Sequence, residues 1–253
     1  RTLARWELDN PRQAGLALRA TGAAAPAVAA ASLAAGAARP LTARQLALFG
    51  QGALVTLIIA LAAMLLAAPL GLALALVRSE SRAGLRVLGR VATAYVEVVR
   101  GTPVLLQLYL LYYGLAGIIS LSPWTAAILG LGLNYAAYEA EIYRGALAAV
   151  PAGQWEAALA IGMTRRMALR EIILPQALRL ALPGVTNDFI SLLKDSSLVS
   201  VLTVVELTKR MTIAAVDNRG WLAPGLLCAA LYFLLGYPFA RLARRLERQN
   251  TAA

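Results

Sequence analysis

The chain has 253 residues, 60% of them hydrophobic and 15% charged, with a net charge of +11 and a mean hydropathy of +0.66. Soluble domains average about 45–50% apolar and about 25% charged residues, and a soluble core cannot hide the long Ala, Leu, Val and Ile runs found here, so a bilayer is the fitting solvent. The positive charge, all arginine apart from Lys194 and Lys209, clusters between apolar runs as in positive-inside topology and not as in a nucleic-acid footprint; the lack of histidine excludes His-based catalysis and His-ligated metals, and a single cysteine, Cys228, excludes an internal disulfide.

Residues 1–19 read as a polar, amphipathic tail, and residues 20–44 as an Ala-rich linker with Pro26, Gly36 and Pro40. From Gln45 to Val77 no charge occurs, and Arg44 and Arg78 bracket a first span with a kink expected at Pro69. Residues 79–99 carry Arg82, Arg86 and Arg90 at four-residue intervals, the stripe of an interfacial helix on the cytoplasmic side. Residues 101–138 are uncharged and too long for one passage. A turn at Ser120–Pro123 divides them into spans at about 103–119 and 124–147. A polar stretch, 151–175, precedes a fourth apolar segment, 177–207, that contains Asp188, Lys194 and Asp195. Residues 220–240 form the last uncharged run, and Arg241, Arg244 and Arg245 follow it. The expected fold is therefore an all-α membrane protein of about five transmembrane helices. The basic segments 78–100, 144–179 and 241–248 share one side if the N-terminus is outside and the C-terminus cytoplasmic. Lys209, Arg210 and Arg219, in an expected outside loop at 207–219, depart modestly from that rule.

The segment 151–162 has its own physics. Pro151 and Gly153 are start signals for a short helix, Gly162 is a stop, and Glu156 is expected in the first turn, where it suits the helix dipole. Ala157, Ala158 and Ala160 leave room for a partner surface, although an ordinary connecting helix between spans fits the same residues. Glu156-Ala157-Ala158, then Gly162, then Ile172, Leu174 and Pro175 resembles the signature loop of permeases of ATP-binding-cassette importers. Arg100-Gly101-Thr102-Pro103 with Gln107, Glu141 to Gly145, Leu174 to Ala177 and Leu193 to Leu198 resemble the branch that serves polar amino acids. The likeness runs in collinear order over about 45–248.

This resemblance implies a type I importer permease domain at 45–253 in a bacterial cytoplasmic (inner) membrane. Gly153, Glu156, Ala157, Ala158, Gly162, Arg165 and Arg166 would belong to a coupling helix docked on a cytoplasmic ATPase dimer. Arg100, Gly101, Thr102, Pro103, Gln107, Glu141, Arg144 and Pro175 would be structural or gating positions. A second permease, identical or not, and an extracytoplasmic binding protein complete the family's assembly. ATP and Mg would be bound by the partner, since this sequence has no Gly-x-x-x-x-Gly-Lys-Ser/Thr loop; no cofactor, catalytic residue or metal is expected on this chain. Residues 3–8, with Trp6, resemble the final helix of an amino-acid-binding protein, which raises a fused binding domain as the alternative to a separate one.

Polar residues within spans are candidates for the pathway, because charge at the bilayer centre costs at least ~2.5–3.5 kcal/mol. Lys194 and Asp195 lie roughly 22 Å of helix beyond Arg179. Pro183 and Gly184 suggest a broken helix, and Ser196 and Ser197 add hydroxyls. A salt-bridge network between spans is the competing use of such charges. On the third span Asn134 and Tyr138 share a face expected to meet the pathway, with Glu139 beside them. Tyr109, Tyr112 and Tyr113 read as interfacial aromatics. A secondary transporter or channel for a small polar solute accounts for the spans but leaves the Glu156–Gly162 loop without a purpose.

Overall fold

The computed structural model describes residues 40–79 and 86–251. The tail at 1–19, most of the linker and Arg82 lie outside the described residues. The first helix, α1 (Ala43–Ser79), opens with a reciprocal cap: Thr42 N–H donates to Gln45 Oε1 at 2.9 Å, and Gln45 N–H to Thr42 Oγ1 at 3.2 Å. It runs through Pro69 as one helix. Beside Phe49, Thr56 and Ile59, its buried stripe is made of small residues: Gly52, Ala53, Ala60, Ala63, Ala67, Gly71 and Ala75. Small residues at helical spacing let backbones approach closely. A Cβ on Gly71 would collide with Glu139 on α4 (Pro123–Ala149), and one on Gly132 would lie 3.1 Å from the Ala63 carbonyl. Ser122 caps α4 by accepting from Thr125 N–H, and Pro123 occupies its first turn.

Between these two helices the structure corrects the expected arrangement. Helix α2 (Arg86–Arg100) does not lie apart as an interfacial helix. It packs Val96 against Ala137 and Ala140 of α4, and its Tyr95 hydroxyl donates to the Leu133 carbonyl at 2.6 Å. The next helix, α3 (Val104–Tyr109, prolonged as a π turn to Gly114), continues along α4 toward Gly130. Eleven residues cover only about 16 Å, half of a bilayer core of about 30 Å, so the span expected at 103–119 is not a span by itself. Helices α2 and α3 form one interrupted rod, antiparallel to α4. Its break is the Gly101–Thr102–Pro103 step, where Pro103 has no N–H to continue the ladder. Gln107 Nε2 donates to the Val99 carbonyl at 2.8 Å and the Thr102 carbonyl at 3.2 Å, satisfying acceptors that the break releases.

After α4 come the short helices α5 (Ala152–Ala160) and α6 (Arg165–Ala168, then a π turn Leu169–Ile173). Gly162, at φ +85°, turns the chain between them in a region that a Cβ disfavours. Glu156 lies in the second turn of α5 and not the first, so the dipole argument for it falls. Helix α7 (Leu174–Asp195) begins with Pro175 in its first turn and passes Pro183 and Gly184 without the expected break. Gly184 provides a seat for Ile142, whose Cγ2 lies 3.0 Å from the position of an added Cβ. The change of geometry comes later, in the 3₁₀ turn Ser196–Leu202, closed by Thr203 at φ +66°.

The segment expected as an outside loop is largely a helix, α8 (Leu207–Asp217). Glu206 makes it one: fully buried, its carboxylate accepts from Thr208 N–H and Lys209 N–H, both at 2.7 Å. The same carboxylate accepts from Tyr232 at 3.0 Å and Thr56 at 3.4 Å, tying α1, α8 and the last helix together. That helix, α9 (Leu222–Thr251), packs on α7 through Phe189 and Phe239, ring centroids 4.6 Å apart. It leaves Leu222, Leu226, Phe233 and Leu234 exposed. Among the described residues, two helices, α1 and α9, are each long and apolar enough to cross a membrane. Helices α4 and α7 carry polar residues into their middles, and those residues build the site.

Candidate functional site

A cavity of about 510 Å³ opens where the α2–α3 break faces α4 and α7. Arg100 to Val104 form one wall; Asn134, Tyr135 and Tyr138 of α4 form the second; Asp188, Ser191 and Asp195 of α7 form the third. The spacing explains the walls: 134 to 138 is one helical turn, and 188, 191 and 195 recur at three and four residues, one face of a helix.

The Arg100 guanidinium stands 5.3 Å from the Tyr138 ring centroid, over its π face. Tyr135 donates its hydroxyl proton to Asp195 Oδ2 at 2.8 Å. Asn134 Nδ2 donates to Gln107 Oε1 at 3.0 Å, fixing the amide that also closes the break. Asp188 Oδ2 is buried without a hydrogen-bond partner among the described residues. A cationic group, two carboxylates and an aromatic face therefore converge on one small volume. Such a set can hold a zwitterion by both ends, each through charge-assisted hydrogen bonds.

Of the residues expected to meet the pathway, Asn134, Tyr138 and Asp195 line the cavity. Lys194 is exposed on another face of α7 and does not line it. Ser196 is buried and donates to the Leu193 carbonyl at 2.8 Å, and Ser197 is not on the wall. Glu139 is fully buried behind the cavity against Gly71, with Tyr143 one turn along as its polar neighbour. Arg100, Gly101, Thr102 and Pro103, expected as structural or gating positions, are lining residues. Sequence reading missed Tyr135, Asp188 and Ser191; the 188–191–195 spacing was the signal that could have found the last two.

Below the cavity, Arg78, Glu141 and Arg144 form a brace. Glu141 Oε1 meets Arg78 Nη1 at 2.6 Å and its Oε2 meets Arg144 Nη2 at 2.6 Å, while Arg78 Nε donates to Thr93 Oγ1 at 3.2 Å. Helices α1, α2 and α4 are thereby linked at one level. Helix α5 has two faces. Trp155 and Ala158 turn inward, Trp155 onto a cluster that includes Ile173 and Ala177. Gly153, Glu156 and Ala157 are exposed, as are Arg165 and Arg166 beyond Gly162.

Residues 67–251 match the family described as "Binding-protein-dependent transport system inner membrane component". A probable amino-acid permease protein of Bacillus subtilis, YxeN, is 41% identical over 198 residues, 77% of this chain and 87% of that protein. The L-cystine transport system permease protein TcyB of the same organism is 37% identical over 182 residues, 71% of this chain and 78% of that one. A crystal structure of an amino acid ABC transporter with histidines superposes with a TM-score of 0.75 at 37% identity, covering 81% of this chain and 95% of that one. The MetNI methionine ABC transporter, at 21% identity and a TM-score of 0.66, shares the fold. The chain belongs to this family of inner-membrane components of binding-protein-dependent transport systems, and it has the all-α architecture of type I importer permeases.

Proposed function

We propose that the chain is the permease subunit of an ATP-driven importer of a polar amino acid. The observation that carries this is the cavity at the α2–α3 break, which sets Arg100 against Asp188 and Asp195 within a volume suited to one small zwitterion. The substrate carboxylate meets Arg100, and its ammonium meets the two aspartates. One guanidinium against two carboxylates leaves surplus negative charge, which favours a substrate with a cationic side chain. The relatives named as amino-acid permeases support the same reading.

The N-terminal end of α1 faces outward and the C-terminal end of α9 the cytoplasm. The α2–α3 rod counts as one of five passages, with α1, α4, α7 and α9 as the others. Helix α5 and Gly162 then lie on the cytoplasmic side, presenting Glu156 and Ala157 to a separate ATPase dimer that binds ATP and Mg. A second permease copy or homologue and a binding protein outside complete the transporter. Closure of the ATPases moves α5, and the cavity alternates between the two sides. The test is reconstitution with the ATPase and binding protein in proteoliposomes, measuring ATP hydrolysis and uptake over a panel of amino acids. Stimulation and uptake by a polar amino acid, strongest for a cationic one, is the expected result. A transporter stimulated only by a non-amino-acid solute overturns the substrate class.

A further inference from the structure

A second cavity, about 800 Å³, lies between the cytoplasmic ends of α1 and α4 and the α5–α6 segment, away from the site above. Its chemistry is divided. Leu76, Leu147 and Leu169 give an apolar wall continuous with the membrane helices, and Arg144, Arg165 and Arg166 give three guanidiniums at the rim with the Trp155 indole. The one carboxylate of the neighbouring brace, Glu141, is already shared between Arg78 and Arg144. Arg165 and Arg166 make no ion pair among the described residues, and both are exposed.

We infer that this groove binds one anionic phospholipid of the inner leaflet, its phosphate on Arg165 and Arg166 and an acyl chain along Leu76, Leu147 and Leu169. Charge complementarity selects an anion, and the apolar wall selects one that carries a hydrocarbon chain. An indole and guanidiniums lining one groove, as Trp155 does with Arg144, Arg165 and Arg166, are the side chains that settle at the headgroup level. A free anion would leave the leucines facing water. The ATPase would approach the other face of α5, where Glu156 and Ala157 point, while Trp155, Arg165 and Arg166 line the groove; on this reading the two arginines serve the lipid and not the coupling contact that the sequence resemblance implied for them. The inference rests on the proposed orientation of the chain but not on the substrate.

The test is native mass spectrometry of the purified permease–ATPase complex after exchange into phosphatidylglycerol, phosphatidylcholine or lipid-free detergent with inorganic phosphate. The expected result is one tightly held phosphatidylglycerol per copy of this chain. Its retention should fall roughly tenfold in the double variant Arg165→Gln/Arg166→Gln and also in Ala148→Phe, which places a ring in the groove without touching a charge. Equal retention of phosphatidylcholine, unchanged retention in both variants, or displacement of the lipid by millimolar phosphate overturns the proposal. Loss of the ATPase from the Arg165→Gln/Arg166→Gln complex also overturns it, by placing those arginines in the ATPase interface. Lipid retention is read without transport, so failure of amino-acid stimulation leaves this test intact.

Discussion

Glu206 illustrates how much one buried side chain can decide. Four donors, from Thr208, Lys209, Tyr232 and Thr56, converge on its carboxylate. Replacement by Ala leaves the Thr208 and Lys209 N–H groups without their acceptor and leaves the half-buried Tyr232 hydroxyl with Thr208 Oγ1 alone, at 2.9 Å. A lost cap alone costs about 0.5–2 kcal/mol. Glu206→Ala should therefore lower the thermal unfolding midpoint of the purified chain, with Glu206→Gln falling between it and wild type. Asp195 is the contrasting case, held by Tyr135 and facing the cavity. Asp195→Asn keeps the shape and removes the charge, so uptake of cationic amino acids should fall at least several-fold while assembly with the ATPase is retained. Collapse of the complex in that variant would show Asp195 to be a brace between α4 and α7. The sequence made Asp195 visible as a charge in an apolar run. Lys194 met the same criterion, and only the helical phase, set by which face of α7 packs on α4, separates the two. Tyr135 gave no signal, because a tyrosine in an apolar helix reads as packing until its hydroxyl partner is known.

At the scale of elements, local chemistry determined what could be read. Helix α5 was legible because its boundaries are written in Pro151 and Gly162, whose backbone preferences act within a few residues. Glu156 is exposed on it and away from the helix start, so its value is as a surface contact. Glu156→Lys should leave ATP hydrolysis by the assembled complex in place while uptake into proteoliposomes drops to background; normal uptake would remove α5 from the coupling role. The α2–α3 rod was not legible. Hydropathy sees charge and length, so Arg100 looked like the edge of a membrane segment when it is a cavity wall. Helix α8 was hidden for a similar reason: its start depends on Glu206 being buried under α1 and α9, a tertiary fact that no window of sequence contains.

For the whole molecule, the class of fold followed from composition and from five collinear motifs, and the family match over 67–251 agrees with it. The arrangement of the spans followed less directly. Along most of their length helices α1 and α4 meet through glycine and alanine, which permits close approach without naming a partner; among the described residues only the Arg78–Glu141 pair at one end specifies the contact by charge. Helix α9 is held chiefly by α7 and leaves its leucines and Phe233 outward. In a lipid bilayer, or against a second permease, those side chains find an apolar neighbour; in water they would not.

The interruption at Gly101–Pro103 has a mechanical meaning. A continuous helix transmits a push from end to end, whereas a rod cut at its middle can pivot. Helix α2 is fastened to α1 and α4 through Thr93, Tyr95 and Val96, whereas α3 is held to α4 at Gly130 through Leu108 and to the 3₁₀ turn after α7 through the Tyr113 hydroxyl, which donates to the Val201 carbonyl. The pivot lies in the cavity wall, so a bound solute touches the joint itself. Spin labels at Val91 and Leu106 should report a distance that changes between the nucleotide-free and ATP-bound transporter. A pair at Val91 and Val98, both on α2, should stay fixed. If both distances stay fixed, the rod moves as one body and the break serves only to shape the cavity.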